Sequence, residues 1–242
     1  MICMRVQSDK PVQFRDGGQG WLHPLGECKV QFVPEPPRPK LDVMSLIEFW
    51  ESDLKRKNNI KLALKIGVSV GALNSLGCVW TDQFRAWAFP MRDGNGNYTG
   101  IRLRSDTGFK WSVKNSRQGL FIPKVYNPSE YLIVCEGPTD TAAALTIGLF
   151  AVGRPHCSGG IEDLRVFCRW NKIRRVVVVA DKDDAGLRGA EMLSRHLPID
   201  STILILPAKD MRDFVNQGGT EMMIQSLIKG AVWLTRQEKG QQ

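Results

Sequence analysis

The sequence predicts an α/β fold in which a parallel sheet flanked by helices follows a smaller α+β region. From residue 131 onward short apolar runs alternate with helical patterns, as in "YLIVC", "TAAALTIGL" and "FAVG". This alternation is typical of βαβ units. Two strand-like runs between residues 79 and 122 flank the turn-forming "DGNGN", which indicates a hairpin. The stretch "PEPPRPK" at 34–40 can continue neither a helix nor a central strand, so it indicates a linker.

These features divide the chain into four predicted regions. Residues 1–40 form an N-terminal segment ending in the proline-rich linker, 41–125 the smaller α+β region, and 126–219 the parallel-sheet domain. Residues 220–242 form an amphipathic helix at 220–234 and a frayed polar tail.

Within the α+β region, residues 41–57 carry apolar side chains at helical spacing. Residues 59–78 predict two short helices that break near Gly67, with Ser69 as the N-cap of the second. The pair resembles a helix-turn-helix in outline, but we favour a role in core packing.

Composition indicates a soluble protein and excludes several classes. The chain has 242 residues, of which 43% are hydrophobic, so it can bury a substantial core. No apolar run reaches the roughly 18 residues of a membrane span, and the N-terminus lacks a secretory layout. The six cysteines are scattered without a C-x-x-C pair, which favours reduced thiols. We therefore expect a cytoplasmic protein with no membrane partner.

Positive charge is concentrated in one segment. The formal net charge is +8, which would attract a polyanion without identifying one. Six cations stand between residues 101 and 124, with Asp106 as the single acid: Arg102, Arg104, Lys110, Lys114, Arg117 and Lys124. Phe109 and Trp111 are interleaved with them, and rings beside cations suit a single nucleic-acid strand. A solvated strand face with both rings in the core is equally compatible with this pattern.

Acidic side chains follow two of the predicted parallel strands. Glu136 ends "YLIVCE", and Asp181 and Asp183 follow "VVVVA". Ligands bind beyond the carboxyl ends of such strands, so these carboxylates converge if the strands are neighbours. Carboxylates that close repel one another unless a cation compensates them. The pattern therefore predicts a site for a hard metal such as Mg²⁺, which binds through a few carboxylates and substrate phosphates.

The same acids are also compatible with a helix N-cap or with an EF-hand loop. An acid after a strand is often only a helix N-cap, and this reading stays open for Glu136 and Asp183 individually. The D-x-D spacing also occurs in EF-hand loops, but such a loop needs ligands where this chain has Ala185 and Met192. We therefore reject an EF-hand.

Together the two acidic motifs resemble the Toprim domain of primases, topoisomerases and some nucleases. The matching residues are Glu136-Gly137 after one strand and Asp181-x-Asp183-x-Ala185-Gly186 after a later one. "WAFPMRDGNGNYTGIRLRS" followed by "FKWSVKNSRQGLF" is similar to the segment that precedes Toprim in bacterial-type primases, and "PAKDMRDFVNQGG" is similar to the cluster that closes the primase domain. The resemblance covers roughly residues 60–219 and is nearest to the phage and mobile-element branch.

The resemblance implies synthesis of short RNA primers on single-stranded DNA from NTPs. Asp181 and Asp183 would hold Mg²⁺ or Mn²⁺, and Glu136 would complete the metal site or act as general base. Asp210 and Asp213 would support a second metal. Six cations would contact nucleotide phosphates or the nucleic-acid strand: Arg102, Arg104, Lys110, Lys114, Arg117 and Lys209. Asp140 and Asp184 are interpreted as helix caps or supporting groups rather than ligands.

Some features depart from the family pattern. The family carries an N-terminal zinc ribbon, but residues 1–40 offer only Cys3, His23 and Cys28, so the ribbon is degenerate and we expect no zinc. The chain also lacks the G-x-x-x-x-G-K-[ST] motif of a helicase motor, so we expect any replicative helicase to be a separate protein.

Two alternative functions remain open from the sequence. A Toprim nuclease would use the same carboxylates with water as nucleophile, although the primase-like segment at 79–122 argues against it. A non-catalytic DNA-binding accessory protein would have little use for clustered acids facing a polyanion.

Overall fold

The computed structural model describes residues 2–3, 7–14, 19–23, 41–52, 57–125 and 129–239. The chain divides into two compact units, Met1–Arg38 and Pro39–Gln242. The first contains an antiparallel sheet of β1 (Ile2–Cys3), β2 (Pro11–Gln13) and β3 (Gln19–Leu22) in the order β1-β3-β2. Of the residues considered for zinc, Cys3 lies on β1 and His23 directly follows β3, while Cys28 lies outside the described residues.

The second unit contains two four-stranded sheets. Its strands are β4 (Val79–Thr81), β5 (Ala86–Arg92), β6 (Tyr98–Ser105), β7 (Lys110–Ser112), β8 (Leu132–Glu136), β9 (Ala151–Arg154), β10 (Arg175–Ala180) and β11 (Asp200–Ile205). Its helices are α1 (Val43–Ser52), α2 (Lys57–Ile66), α3 (Val70–Ser75), α4 (Gly137–Thr146), α5 (Ile161–Trp170), α6 (Asp184–His196), α7 (Met211–Asn216), α8 (Glu221–Lys229) and α9 (Arg236–Lys239). None of the helices in the described ranges is both long and apolar enough to cross a bilayer.

An antiparallel sheet in the order β4-β5-β6-β7 precedes the parallel sheet. The predicted hairpin is confirmed: β5 pairs with β6, and the Asp93 carboxylate accepts the backbone N–H groups of Asn95 and Asn97 in the turn. Strand β5 is buried on both faces, with Trp87 and Phe89 in the core shared with the parallel sheet and alternate alanines in the core beneath α1. The predicted α+β region is thus a sheet packed between two layers.

The parallel sheet has the strand order β11-β10-β8-β9. Residues of β8 and β10 alternate between the two apolar cores on its faces, as Ile133 and Val134 do, so both strands read as continuous apolar runs. Helices α4 and α7 contribute to one core, and α5 and α6 to the other. The predicted fold class, a parallel sheet flanked by helices after a smaller α+β region, is confirmed.

The short helices α2 and α3 serve core packing, as favoured from the sequence. Leu62 and Leu73 are fully buried in the core that joins the two sheets. Gly67, at φ 68°, takes the left-handed conformation that ends α2, and the Ser69 hydroxyl accepts the Ala72 N–H at 3.0 Å to cap α3.

The C-terminal region differs from the sequence expectation in two respects. Helix α8 stops at Lys229 rather than continuing to residue 234, and Leu234 instead exchanges backbone hydrogen bonds with Ser201 on the sheet edge. Residues 235–239 belong to the tail expected to be frayed, but helix α9 spans Arg236–Lys239. Residues 235–239 form a capping box in which Thr235 and Glu238 hydrogen-bond reciprocally, and Lys239 donates to acceptors at Leu197, Ile199 and Ser201.

Candidate active site

An acidic crevice lies at the carboxyl ends of β8 and β10. The two strands are hydrogen-bonded neighbours, with Val134 opposite Val178, so the condition for convergence of Glu136 and Asp181 is met. The crevice has a volume of about 330 Å³. Its lining contains five acids (Glu136, Asp140, Asp181, Asp183 and Asp210) and four cations (Arg102, Lys110, Lys209 and Arg212).

Glu136 and Asp183 both follow strands but differ in whether the side chain caps the next helix. Glu136 occupies the N-cap position of α4 but makes no capping hydrogen bond through its side chain, and Gly137 follows with φ 76°. Asp183 does cap α6, because its Oδ1 accepts the Gly186 N–H at 2.7 Å. The carboxylate of Glu136 therefore lines the crevice without capping a helix, whereas that of Asp183 both caps a helix and lines the crevice.

Asp140 is a crevice residue that sequence reasoning assigned to a helix cap or supporting group. It lies in the first turn of α4, is 7% exposed, and its Oδ1 accepts the Arg212 backbone N–H at 3.0 Å. Its position four residues after Glu136 is the signal that could have found it, because a helix that starts at Gly137 brings its first turn beside the strand end. Arg212 was missed as well, since nothing in the local sequence shows that α7 packs against α4.

The carboxylates perturb one another. Burial raises the pKa of Asp181 to about 7, with Asp140, Glu136, Asp210 and Asp183 adding to the shift. Burial, followed by the charge of Asp210, raises the pKa of Asp140 to about 6, against the opposing effect of its bond to Arg212. Burial is the larger cause for both acids, and the repulsion among neighbouring carboxylates adds to it.

The two acids expected to support a second metal lie at the start of α7. Asp210 is 7% exposed, and its carboxylate caps α7 by accepting the Asp213 N–H at 2.7 Å and lies 3.7 Å from the Arg212 guanidinium. Asp213 accepts the Lys209 backbone N–H at 3.1 Å, and this bond holds its pKa below the ordinary value. Asp210 thus faces the crevice, while Asp213 supports the turn that precedes α7 and does not line it.

The predicted cations fall into two groups. Arg102, Lys110 and Lys209 line the crevice, and Arg104 lies beside it, where burial and the neighbouring charge of Arg212 lower its pKa. Lys114 and Arg117 are exposed and do not line the crevice. Arg117 interacts with Asp163 on α5 instead.

The rings and cations that are interleaved in the sequence occupy opposite faces of the antiparallel sheet. Lys110 pairs with Arg104 across β6 and β7, and both interact with Asp140 of the crevice. Trp111 pairs with Leu103 and packs against the core beneath α1. Phe109 stacks on Trp111 with ring centroids 5.5 Å apart and remains 68% exposed. The strand period of two therefore keeps the rings away from the crevice cations.

The donor chemistry of the crevice fits a hard divalent cation. All five acids offer oxygen ligands, and their mutual repulsion favours a bound cation. Within the described part of the chain, no three acidic, histidine or cysteine side chains converge closely enough to enclose a metal by themselves. Mg²⁺ usually binds through one or two carboxylates, several waters and substrate phosphates, so a complete protein cage is not required.

Comparison with solved structures finds the same fold in primase catalytic cores. The E. coli primase catalytic core has a TM-score of 0.60 and 17% identity, covering 78% of this chain and 79% of that one. The DnaG primase catalytic domain bound to ssDNA has a TM-score of 0.61 and 16% identity, covering 78% and 77%. The primase fragment of the bacteriophage T7 primase-helicase protein has a TM-score of 0.53 and 20% identity, covering 68% and 72%. No protein-family model and no curated protein sequence matches the chain.

The second unit is thus an α/β structure with an acidic crevice at the carboxyl edge of its parallel sheet. More particularly, its fold is that of the catalytic core of bacterial and phage primases, which the sequence resemblance predicted.

Proposed function

We propose that this protein is a primase-type nucleotidyltransferase that synthesises short RNA primers on single-stranded DNA. The observation that carries the proposal is the combination, within the primase core fold, of five carboxylates with a rim of four cations in one crevice. A polyanion alone would be repelled by the acids, whereas a nucleoside triphosphate with a divalent cation complements both sets of charges.

Asp181, Asp183 and Glu136 are the residues that would hold Mg²⁺ or Mn²⁺. When bound, such an ion would stabilise the negative charge on the attacking and leaving oxygens of phosphoryl transfer. Asp140 and Asp210 lie close enough to interact electrostatically with the same ion, because both contribute to the raised pKa of Asp181.

The cations of the rim would orient the triphosphate. Lys110, Arg102 and Arg212 reach the crevice from β7, β6 and α7, so phosphate oxygens could be contacted from several directions. Positioning of this kind supplies much of the rate enhancement in phosphoryl transfer. Glu136, whose carboxylate makes no capping bond, would then accept the proton of the primer 3′-hydroxyl or complete the metal site.

The partners of the proposed reaction are a single-stranded DNA template, NTPs and a separate replicative helicase. The solved relatives include a primase domain bound to ssDNA and a fragment of a primase-helicase protein, which supports the template and the helicase. We propose the soluble interior of the cell as the place of action, in keeping with these replication partners.

A single reaction mixture distinguishes primer synthesis from nuclease action. Full-length protein is incubated with Mg²⁺ or Mn²⁺, labelled NTPs and end-labelled single-stranded DNA, and an identical sample contains EDTA. We expect new labelled products of a few nucleotides that EDTA abolishes, with the DNA unshortened. Shortening of the DNA without incorporation on varied templates would reject the proposal and favour the nuclease.

A further inference from the structure

An arginine lies fully buried beside the acidic crevice. Arg154 ends β9, is 1% exposed, and stands opposite Glu136 in the strand register. Fully buried arginines are rare unless paired with an acid. Among the described residues, however, no carboxylate forms a direct ion pair with its guanidinium. A charge in this position is costly, so its retention requires a compensating interaction.

The guanidinium is fixed by backbone carbonyls and not by an anion. Its Nη1 donates to the carbonyl of Cys157 at 2.5 Å and to that of Gly189 on α6 at 3.3 Å, while no described residue accepts a hydrogen bond from its buried Nε. The loop and helix meet closely here, because a Cβ on Gly189 would lie 2.3 Å from the Cys157 oxygen. Arg154 therefore fastens the end of β9 to α6, the helix that Asp183 caps.

The charge of Arg154 acts on the crevice carboxylates. Burial lowers the pKa of Arg154, and the opposing effect of nearby negative charge comes first from Glu136 and then from Cys157 and Asp181. Arg154 thus interacts electrostatically with two of the proposed metal-binding acids without lining the crevice.

We infer that Arg154 is an internal counter-cation for the acidic crevice and a positioning residue for Glu136 and α6. Its fixed positive charge offsets part of the acidic cluster and weakens the binding of a divalent cation, so that the metal remains exchangeable with each nucleotide. This role rests on the proposed function, since Arg154 acts on the same crevice and lowers its affinity for a divalent cation.

Charge-changing substitutions separate this role from a merely structural one. Arg154→Met removes the charge and keeps apolar volume, whereas Arg154→Lys keeps the charge. Loss of the repulsion should tighten Mn²⁺ binding by roughly tenfold in Arg154→Met, while Arg154→Lys should bind as the wild type does. Structural damage would have the opposite sign, since a distorted site binds metal more weakly.

The measurement is the Mn²⁺ dissociation constant of full-length protein, obtained by calorimetry without nucleotide or DNA, after circular dichroism establishes that each variant is folded. If Arg154→Met does not fold, Arg154→Gln provides a neutral side chain that can still donate to the Cys157 carbonyl. Folded neutral variants with wild-type or weaker Mn²⁺ affinity would overturn the inference.

Asp181→Asn identifies which hypothesis fails. If Mn²⁺ binds and Asp181→Asn abolishes the binding, unchanged affinity in the Arg154 variants refutes only the counter-cation role. If the wild type binds no Mn²⁺ that depends on Asp181, the metal site of the proposed function fails, and the inference about Arg154 fails with it.

Discussion

At the scale of single residues, the site is organised by carboxylates whose environments differ. Glu136 is free of capping bonds, Asp183 and Asp210 each cap a helix, and Asp140 is buried against the backbone of Arg212. The same residue type thus serves both to begin helices and to build a charged site. Local sequence cannot separate these uses, because an N-cap and a metal ligand both favour an acid directly after a strand.

A substitution at Asp140 tests whether its negative charge contributes to the crevice. Asp140→Asn keeps the shape of the side chain and its ability to accept the Arg212 N–H, but removes its negative charge. We expect primer synthesis to fall by about 10- to 100-fold, as for groups that support metal ligands, while the thermal unfolding temperature is maintained. An active Asp140→Asn variant would exclude a role for this charge in the crevice.

The raised pKa of Asp181 predicts a pH dependence of stability in metal-free protein. A carboxyl group whose folded pKa is about 7, against 3.8 in its reference state, binds more protons when folded. Its contribution to stability is therefore complete below about pH 4 and is lost as the pH rises through about 7.

The check is thermal unfolding in EDTA between pH 5 and pH 8 for wild type and Asp181→Asn. We expect the unfolding temperature of the wild type to fall with rising pH by about 3 °C more than that of the variant. Parallel curves would show that Asp181 titrates as an ordinary surface acid.

At the scale of secondary-structure elements, strand alternation decides which side chains reach the crevice. Along β7 and its flank, Lys110 faces the acids while Phe109 and Trp111 lie on the other side of the sheet. Position along the chain alone does not separate the cations from the rings, because the separation depends on the strand face that each residue occupies.

Neighbouring residues of this segment therefore form a matched pair of variants. Lys110→Ala should raise the KM for NTP several-fold, because it removes a cation that lines the crevice. Phe109→Ala should change that KM by less than about twofold. Steady-state primer synthesis at varied NTP concentration measures the KM of both variants. A larger effect from Phe109→Ala would indicate that the exposed ring belongs to the candidate site.

The C-terminal helix α9 depends on one lysine. The Lys239 ammonium donates to the carbonyls of Leu197 and Ile199 and to the Ser201 hydroxyl. Lys239→Met should lower the free energy of unfolding by about 1 kcal/mol, since the ammonium is only partly withdrawn from water. Urea denaturation tests this, with Lys229→Met on the exposed end of α8 as the control. Equal stability of the two variants would indicate that α9 is not fastened by this contact.

At the scale of the whole molecule, the fold was more predictable than the site. The hairpin, the α2–α3 break at Gly67 and the parallel sheet followed from apolar periodicity and turn residues, because these depend on short segments. Packing between elements that are distant in sequence buries Asp140, brings Arg212 into the crevice and buries Arg154 beside the acids. The sequence did not predict the structure of residues 235–239, because the acceptors for Lys239 lie about forty positions earlier in the chain.

The arrangement of the two sheets explains how one crevice carries charges of both signs. The parallel sheet and its following helices supply the acids from their carboxyl edge, and the antiparallel sheet supplies Arg102 and Lys110 from the face that shares a core with it. The acids and these two cations therefore lie in different parts of the sequence, and the packing of the two sheets on a shared core brings them together.

The most direct test of the central claim is the dependence of primer synthesis on Asp181. Incorporation of labelled NTPs on single-stranded DNA is compared among wild type, Asp181→Asn and Glu191→Gln, which removes an exposed carboxylate from α6 outside the crevice. We predict metal-dependent products of a few nucleotides from the wild type and Glu191→Gln, and a loss of at least about a hundredfold in Asp181→Asn. Equal synthesis by all three proteins would contradict the claim that the acidic crevice transfers nucleotides.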